Sequence, residues 1–151
     1  MTKKYTYDYP RPAVTVDIVV VTRGPRPRVL LIRRKHDPFA GWWAIPGGFV
    51  EMDETLEAAA RRELKEETGL SVDGLEQLYT FGDPWRDPRG RTIAVAYLTR
   101  VDEKRVRPQA GDDAGEVGWF SLQRPPALAF DHREILGHVR RRLRGRSPKA
   151  C

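Results

Sequence analysis

Residues 48–70 read GFVEMDETLEAAARRELKEETGL, and within this stretch Glu63, Glu66 and Glu67 fall inside five consecutive positions. On an α-helix Glu63 and Glu67 are one turn apart and Glu66 lies three residues from Glu63, so the three carboxylates share a face. Like charges at that spacing repel, and two arrangements relieve the repulsion. A solvated surface helix does so with i,i+4 ion pairs, here Glu57 with Arg61 and Arg62 with Glu66. Alternatively, three clustered carboxylates form an all-oxygen site for a hard divalent cation, which can bridge to substrate phosphates. The helix alone does not choose between them.

Its boundaries are legible. Asp53 can cap a helix over 54–68, Gly69 stands at the left-handed stop, and Leu70 folds back as its apolar partner. Leu56, Ala60 and Leu64 recur every four residues and predict the buried stripe. Upstream, VTVDIVVVT (14–22) is rich in β-branched residues and reads as a central strand. After the GPRP turn (24–27), RVLLIRR (28–34) reads as a strand able to pair back on it. The loop KHDPFAG (35–41) leads to WWAIPGGFVE (42–51), a short extended segment interrupted by Pro46, Gly47 and Gly48.

Downstream, LEQLYTF (75–81) and TIAVAYLTRV (92–101) are strands flanking the loop GDPWRDPRGR (82–91). A turn, QAGDDAG (109–115), precedes the short strand EVGWFSL (116–122). After the prolines of PPALAFDHREILGHVRRRL (125–143) a helix begins from Asp131 onward, with Ile135, Leu136, Val139 and Leu143 inward. Strands, helix, strands, helix is an α/β order: a mixed sheet with helices packed against it.

The chain of 151 residues is long enough for one domain, and 40% hydrophobic with 32% charged residues is a globular balance. The longest apolar run, around Ile18–Val21, is far short of the roughly 20 residues of a membrane helix. MTKKYTYDYPRP lacks the apolar core of a secretory signal, and the only cysteine is Cys151, so no internal disulfide forms. Both point to a cytoplasmic protein. The net charge of +6 suits polyanions, but much of it sits in Arg140, Arg141, Arg142, Arg144, Arg146 and Lys149. That run has neither interleaved aromatics nor a docking motif, which favours a solvated tail over a nucleic-acid patch. The expected layout is an arm over 1–12, one domain over 13–143 and a basic tail over 144–151.

From Gly48 there are five residues, then Glu54, seven more, then Arg62-Glu63-Leu64-Lys65-Glu66-Glu67-Thr68-Gly69-Leu70. This resembles the Nudix hydrolase box, G-x5-E-x7-R-E-U-x-E-E-x-G-U with U aliphatic, at every specified position. The resemblance implies the Nudix fold, an α/β/α sandwich with a mixed β-sheet between helices, and hydrolysis of a diphosphate linked to a nucleoside. It implies Mg²⁺ as cofactor, with Mn²⁺ as the alternative. It also implies that Gly47 offers a carbonyl to the metal and that Glu54 and Arg62 form a structural ion pair. Glu63, Glu66 and Glu67 then supply metal ligands and acid–base chemistry, with Glu66 and Glu63 the candidates for the base. Relatives often draw one more carboxylate from a later loop, and in GDDAGE (111–116) Asp113 is the better placed, with Glu116 the alternative.

Outside the box, Arg34 closes the second strand and can hold a phosphate. YTFGDPWRDPRGRTIAVAYL (79–98), YDYPRPAVTVD (7–17) and LAFDHREIL (128–136) resemble the ADP-ribose pyrophosphatase branch, which implies cleavage of ADP-ribose to AMP and ribose 5-phosphate. Trp42, Trp43, Phe49 and Trp85 offer flat surfaces for adenine, and Arg89 and Arg91 can reach a phosphate or the terminal ribose. The implied partners are a small nucleoside diphosphate and a second copy of the chain, with arm 1–12 available for exchange, and no membrane. Three other readings compete. A nucleoside triphosphate pyrophosphohydrolase is opposed by the DPRGR segment. An ADP-ribose sensor in this branch carries a winged helix after the Nudix domain, whereas this chain ends at Cys151, and its box is intact. RNA decapping would have to rest on the basic tail alone.

Overall fold

A computed structural model describes residues 3–145 of the chain. Residues 146–151, on which much of the tail expectation falls, lie outside the described residues. The centre of the sheet is β1 (Ala13–Thr22), paired in parallel with β6 (Thr92–Val101) along all ten residues, from Ala13↔Thr92 to Thr22↔Val101. Beyond β6 lies β5 (Glu76–Phe81), antiparallel. On its other edge β1 is shared by two strands. Near its end Val21 pairs with Val29 of β2 (Arg28–Arg34), and near its start Thr15–Asp17 pairs with β4 (Gly47–Phe49). Strand β2 continues outward between β3 (Trp43–Ala44) and β7 (Ala114–Ser121). Because β2 leaves β1 and β4 takes its place, the sheet forks, and a cleft opens between the ends of β2 and β4.

Both faces of β1 are covered, which is why its sequence is apolar almost throughout. Val16, Ile18 and Val20 meet Ala59, Ala60 and Leu64 of α1 (Leu56–Thr68), whereas Val19 and Val21 meet Ile135, Leu136 and Val139 of α2 (His132–Arg144). The two-residue period assigns each side chain to one helix. The result is the expected α/β/α sandwich with a mixed sheet. No helix among the described residues is long and apolar enough to cross a membrane.

Several local expectations need correction. The N-cap of α1 is Thr55, whose hydroxyl accepts from Ala58 N at 3.1 Å; Asp53 lies in the preceding turn. Glu54 stays outside the helix because its carboxylate accepts from Glu51 N at 2.9 Å and binds Arg62. Leu56 is 37% exposed, and the inward residues are Ala59, Ala60 and Leu64. A four-residue spacing drifts by about 40° per step, so Leu56 has rotated to the rim at the helix start. The stop is as read: Gly69 has φ 73° and donates to Lys65 O at 2.9 Å, and Leu70 is buried. Strand β7 begins at Ala114, earlier than expected, because a register shift at Arg33/Arg34 lets Ala114 pair with Arg34. A single 3₁₀ turn at Glu103–Arg105, capped by Asp102, was not legible in the sequence.

Candidate active site

The box loop meets α1 through strand alternation. In β4 the groups flanking Gly47 and Phe49 bind β1: Ile18 N donates to Pro46 O at 2.8 Å and Val50 N to Val14 O at 3.0 Å. Gly47 and Phe49 are therefore turned away from β1 and toward α1. Gly47 N donates to Glu67 Oε2 at 3.0 Å, and Phe49 O accepts from Arg62 Nη2 at 3.1 Å. Since N–H and C=O of one strand residue point the same way, the Gly47 carbonyl faces the same side as Glu67. Gly48 has no side chain where one would strike the Glu63 carboxylate, coming within 2.7 Å of Oε2.

Arg62 gathers the acids. Its guanidinium donates to Glu54 at 2.6 and 2.9 Å, to Glu63 Oε1 at 2.8 Å and to Glu66 Oε2 at 3.3 Å. The Arg62 hydrogen bond holds the Glu54 carboxyl down at about 2. Burial pushes Glu63 upward against the pull of Arg62. Burial also drives Glu67 up to about 8, against the Gly47 hydrogen bond and with help from Glu63 and Asp17. The i,i+4 pair Glu57–Arg61 forms as well, at 3.0 Å.

The helix face does not bring all three acids to one point. Glu63 is 13% exposed and lines the cleft with Glu67, whereas Glu66 is 58% exposed and leans on Arg62 at the rim. Among the described residues no three acidic, His or Cys side chains surround a common point. The donor chemistry nonetheless fits a hard cation: carboxylates and a carbonyl, in a cleft whose desolvation raises the Glu67 carboxyl more than the nearby Arg34 lowers it. Asp113 joins the same cleft. The segment carrying it is strapped to the last turn of α1, where Gln109 N donates to Thr68 O at 2.8 Å and Gly111 N to Glu67 O at 3.1 Å. Glu116 is engaged by Arg33 at 3.0 Å.

The opposite wall is cationic. Arg34 donates from Nε to Pro38 O at 2.8 Å, and its guanidinium lies 4.9 Å from the Phe130 ring. Arg89 stands 4.7 Å from the Phe49 ring and 5.1 Å from Phe130, held by Asp87 through Nε at 3.0 Å and Nη2 at 2.8 Å. Burial and the neighbouring Arg89 lower the affinity of Arg34 for its proton. The main cleft encloses about 430 Å³, and an inner recess of about 60 Å³ shares Arg34, Arg89, Gly47 and Gly48 with it. Arg91 turns elsewhere, donating to Gly82 O at 2.7 Å. Of the aromatics, Phe49 lines the cleft. Trp43 packs on Phe120 and Trp42 on Phe39, while Trp85 is 94% exposed.

Residues 11–141 match the NUDIX domain family. The chain belongs to the Nudix family. An ADP-ribose pyrophosphatase of Methanocaldococcus jannaschii is 45% identical over 134 residues, covering 89% of this chain and 76% of that protein. The ADPR responsive transcriptional repressor NtrR of Acinetobacter baylyi is 37% identical over 146 residues, covering 93% of this chain and 58% of the repressor. Among solved structures, the NUDIX domain of Shewanella oneidensis NrtR complexed with ADP ribose superposes with a TM-score of 0.80 at 35% identity. That match covers 91% of this chain and 94% of the Shewanella one. Nudix hydrolases generally use divalent metals.

Behind the Nudix box lies a polar layer that sequence reading missed. Asp17 and His132 are 6% and 4% exposed, with His132 Nε2 3.5 Å from Asp17 Oδ1. His132 Nδ1 accepts from Ile45 N at 3.0 Å, which fixes the neutral tautomer protonated on Nε2. Burial pushes His132 down to about 3 and Asp17 up to about 7. Asp17 had one signal, a lone acid in VTVDIVVVT; its partner in the 128–136 segment had none.

A pH effect on stability follows from His132. Its pKa is about 3 in the folded protein against 6.5 for an ordinary imidazole, so the unfolded chain takes up a proton first on acidification. The contribution is complete above pH 6.5 and lost as pH falls toward 3. His132→Asn, whose amide oxygen can still accept from Ile45 N, should lose less Tm than the parent between about pH 7 and 5. Equal losses would clear His132 as the source.

Proposed function

We propose that this Nudix chain is an ADP-ribose diphosphatase working with a divalent cation and releasing AMP and ribose 5-phosphate. One observation carries the reading: a single cleft with chemically opposed walls, Glu63, Glu67 and Gly47 on one side and Arg34 and Arg89 on the other. Arg34 and Arg89 would bind non-bridging oxygens of the diphosphate, for which planar guanidinium groups are suited. Phe49, half-exposed at the mouth, would offer its free edge to the nucleoside. Glu63, Glu67 and the Gly47 carbonyl would hold the ion, with Asp113 as a further carboxylate from the cleft and Glu66 reaching it only on leaving Arg62 at the rim. This set of hard oxygens suits Mg²⁺ first and Mn²⁺ second. When bound, the ion supplies charge neutralisation at the diphosphate and acidifies water.

Arg62, anchored by Glu54, keeps Glu63 and Phe49 in register. Whichever of Glu63 and Glu66 is free of ligation takes the proton of the attacking water. The water oxygen joins one phosphorus and the P–O–P bridge breaks, leaving two phosphomonoesters. The names of the Methanocaldococcus relative and of the Shewanella complex support ADP-ribose as the substrate. A second reading, an ADP-ribose sensor, is favoured by the Acinetobacter repressor.

The deciding experiment incubates the protein with nucleoside diphosphate derivatives and triphosphates, with Mg²⁺ and with a chelator. Equal yields of AMP and ribose 5-phosphate from ADP-ribose, abolished by chelation, are expected. Binding without cleavage would favour the sensor, and preferential turnover of triphosphates would move the substrate. Arg34→Ala should raise KM for ADP-ribose about tenfold or more with a small change in kcat, since a charged hydrogen bond contributes about 1.5–3 kcal/mol. An unchanged KM would take Arg34 off the substrate.

A further inference from the structure

Phe130, Asp131 and His132 carry the chain into α2, and each reaches a different part of the cleft. Phe130 has φ 52°, in the left-handed region that side chains other than glycine rarely adopt. This conformation sets its ring beside both arginines of the anion wall, 4.9 Å from Arg34 and 5.1 Å from Arg89. A further ring neighbour, Phe39, lies 4.9 Å away with φ 62°. Two touching residues in a disfavoured conformation persist only where the surroundings over-determine them.

Asp131 stands at the N-cap of α2 yet its side chain makes no capping hydrogen bond. Its two oxygens instead take Arg86 Nε at 2.9 Å and Nη2 at 2.6 Å, and the Arg86 side chain is 4% exposed. A local cap is thereby exchanged for a long-range tether to the 86–89 segment, which holds Asp87 and Arg89. His132 reaches the other wall: it accepts the Ile45 N–H and faces Asp17, the register partner of Gly47.

We propose that Phe130, Asp131 and His132 form a positioning unit that fixes the arginine wall and the box loop relative to one another across the cleft. The proposal rests on reading that cleft as the diphosphate site. The unit acts through Arg34, Arg89 and the Gly47 loop; its two arms touch, the Phe130 ring lying 5.4 Å from the His132 imidazole, but they end on different walls. The ring and the carboxylate govern anion affinity, whereas the imidazole governs turnover.

The test compares the full-length protein with Phe130→Leu, His132→Leu and His132→Asn. It reads kcat and KM with Mg²⁺, ADP-ribose affinity by calorimetry in chelator, and Tm. Phe130→Leu keeps apolar bulk and loses the flat face; it should raise KM and the metal-free Kd about tenfold with kcat within about twofold. His132→Leu strands the Ile45 N–H; it should lower kcat about tenfold or more with the metal-free Kd unchanged. His132→Asn should recover most of that kcat. Losses of kcat and KM that track Tm alike in all three variants would overturn the unit, as would unchanged binding in Phe130→Leu. Should the parent protein cleave another diphosphate and ignore ADP-ribose, the substrate assignment falls, and the same split measured on that diphosphate decides the unit.

Discussion

Replacing Glu67 by Gln should lower kcat by about 10³-fold or more while leaving the fold in place. Glu67 is the most deeply placed acid of the cleft, and it accepts the Gly47 N–H at 3.0 Å. Glutamine has the same shape and keeps an oxygen for that hydrogen bond, so the loop stays anchored. What disappears is the negative charge on which cation binding depends. Stability should move the other way. The folded pKa of about 8 lies above the ordinary carboxyl value of 4.5, so the contribution of Glu67 to metal-free stability is complete below 4.5 and is lost as pH rises through 8. Glutamine carries no such loss, and at about pH 8 in chelator the variant should melt no lower than the parent. A large fall in kcat beside an equal or higher Tm is a signature that misfolding cannot produce. Turnover near the parental rate would remove Glu67 from the chemistry.

Gly47→Ala should show the complementary pattern, losing both stability and turnover. A Cβ there would run into Val16 O and lie 2.7 Å from Asp17 Oδ1 and 3.0 Å from Asp17 Cα. Two of those neighbours are main-chain atoms of the central strand, which cannot yield as a flexible side chain does. Overpacking of this kind costs about 2–3 kcal/mol. To relieve it, β4 must shift from β1, carrying the Gly47 N–H off Glu67 and its carbonyl out of the cleft. We expect a fall in the urea midpoint at constant m-value and a loss in kcat of at least about 10²-fold at temperatures where the variant stays folded. Gly74→Ala is the control, because a Cβ there meets nothing within 4 Å. A Gly47→Ala protein as stable as the control would show that the loop has room the structure does not give it.

Much of this protein was legible because much of it is local or periodic. The spacing from Gly48 to Leu70 is a one-dimensional pattern, and its helix, its stop at Gly69 and the Arg62–Glu66 pair all lie within a few turns of one another. The alternation of Val16, Ile18 and Val20 with Val19 and Val21 likewise needs only a two-residue period and two covered faces. Errors appeared where two local solutions competed. Thr55 and Asp53 can both cap a helix, and Glu54 decided the matter by reaching across to Arg62.

The tertiary structure alone decided which side chains face the cleft. Arg89 and Arg91 are two residues apart in one loop, yet one rests between Phe49 and Phe130 and the other on Gly82 O. Glu66 and Glu67 are adjacent, yet one is at the rim and the other beneath Gly47. The layer of Asp17, Ile45, Arg86, Asp131 and His132 draws on four remote segments. Those segments meet only because β1 and β6 run in parallel while α2 returns across them. Patterns confined to one element are fixed by the geometry of that element and can be read from spacing. Contacts between elements depend on how the sheet forks and which loops close over it, and no periodicity in the chain encodes that.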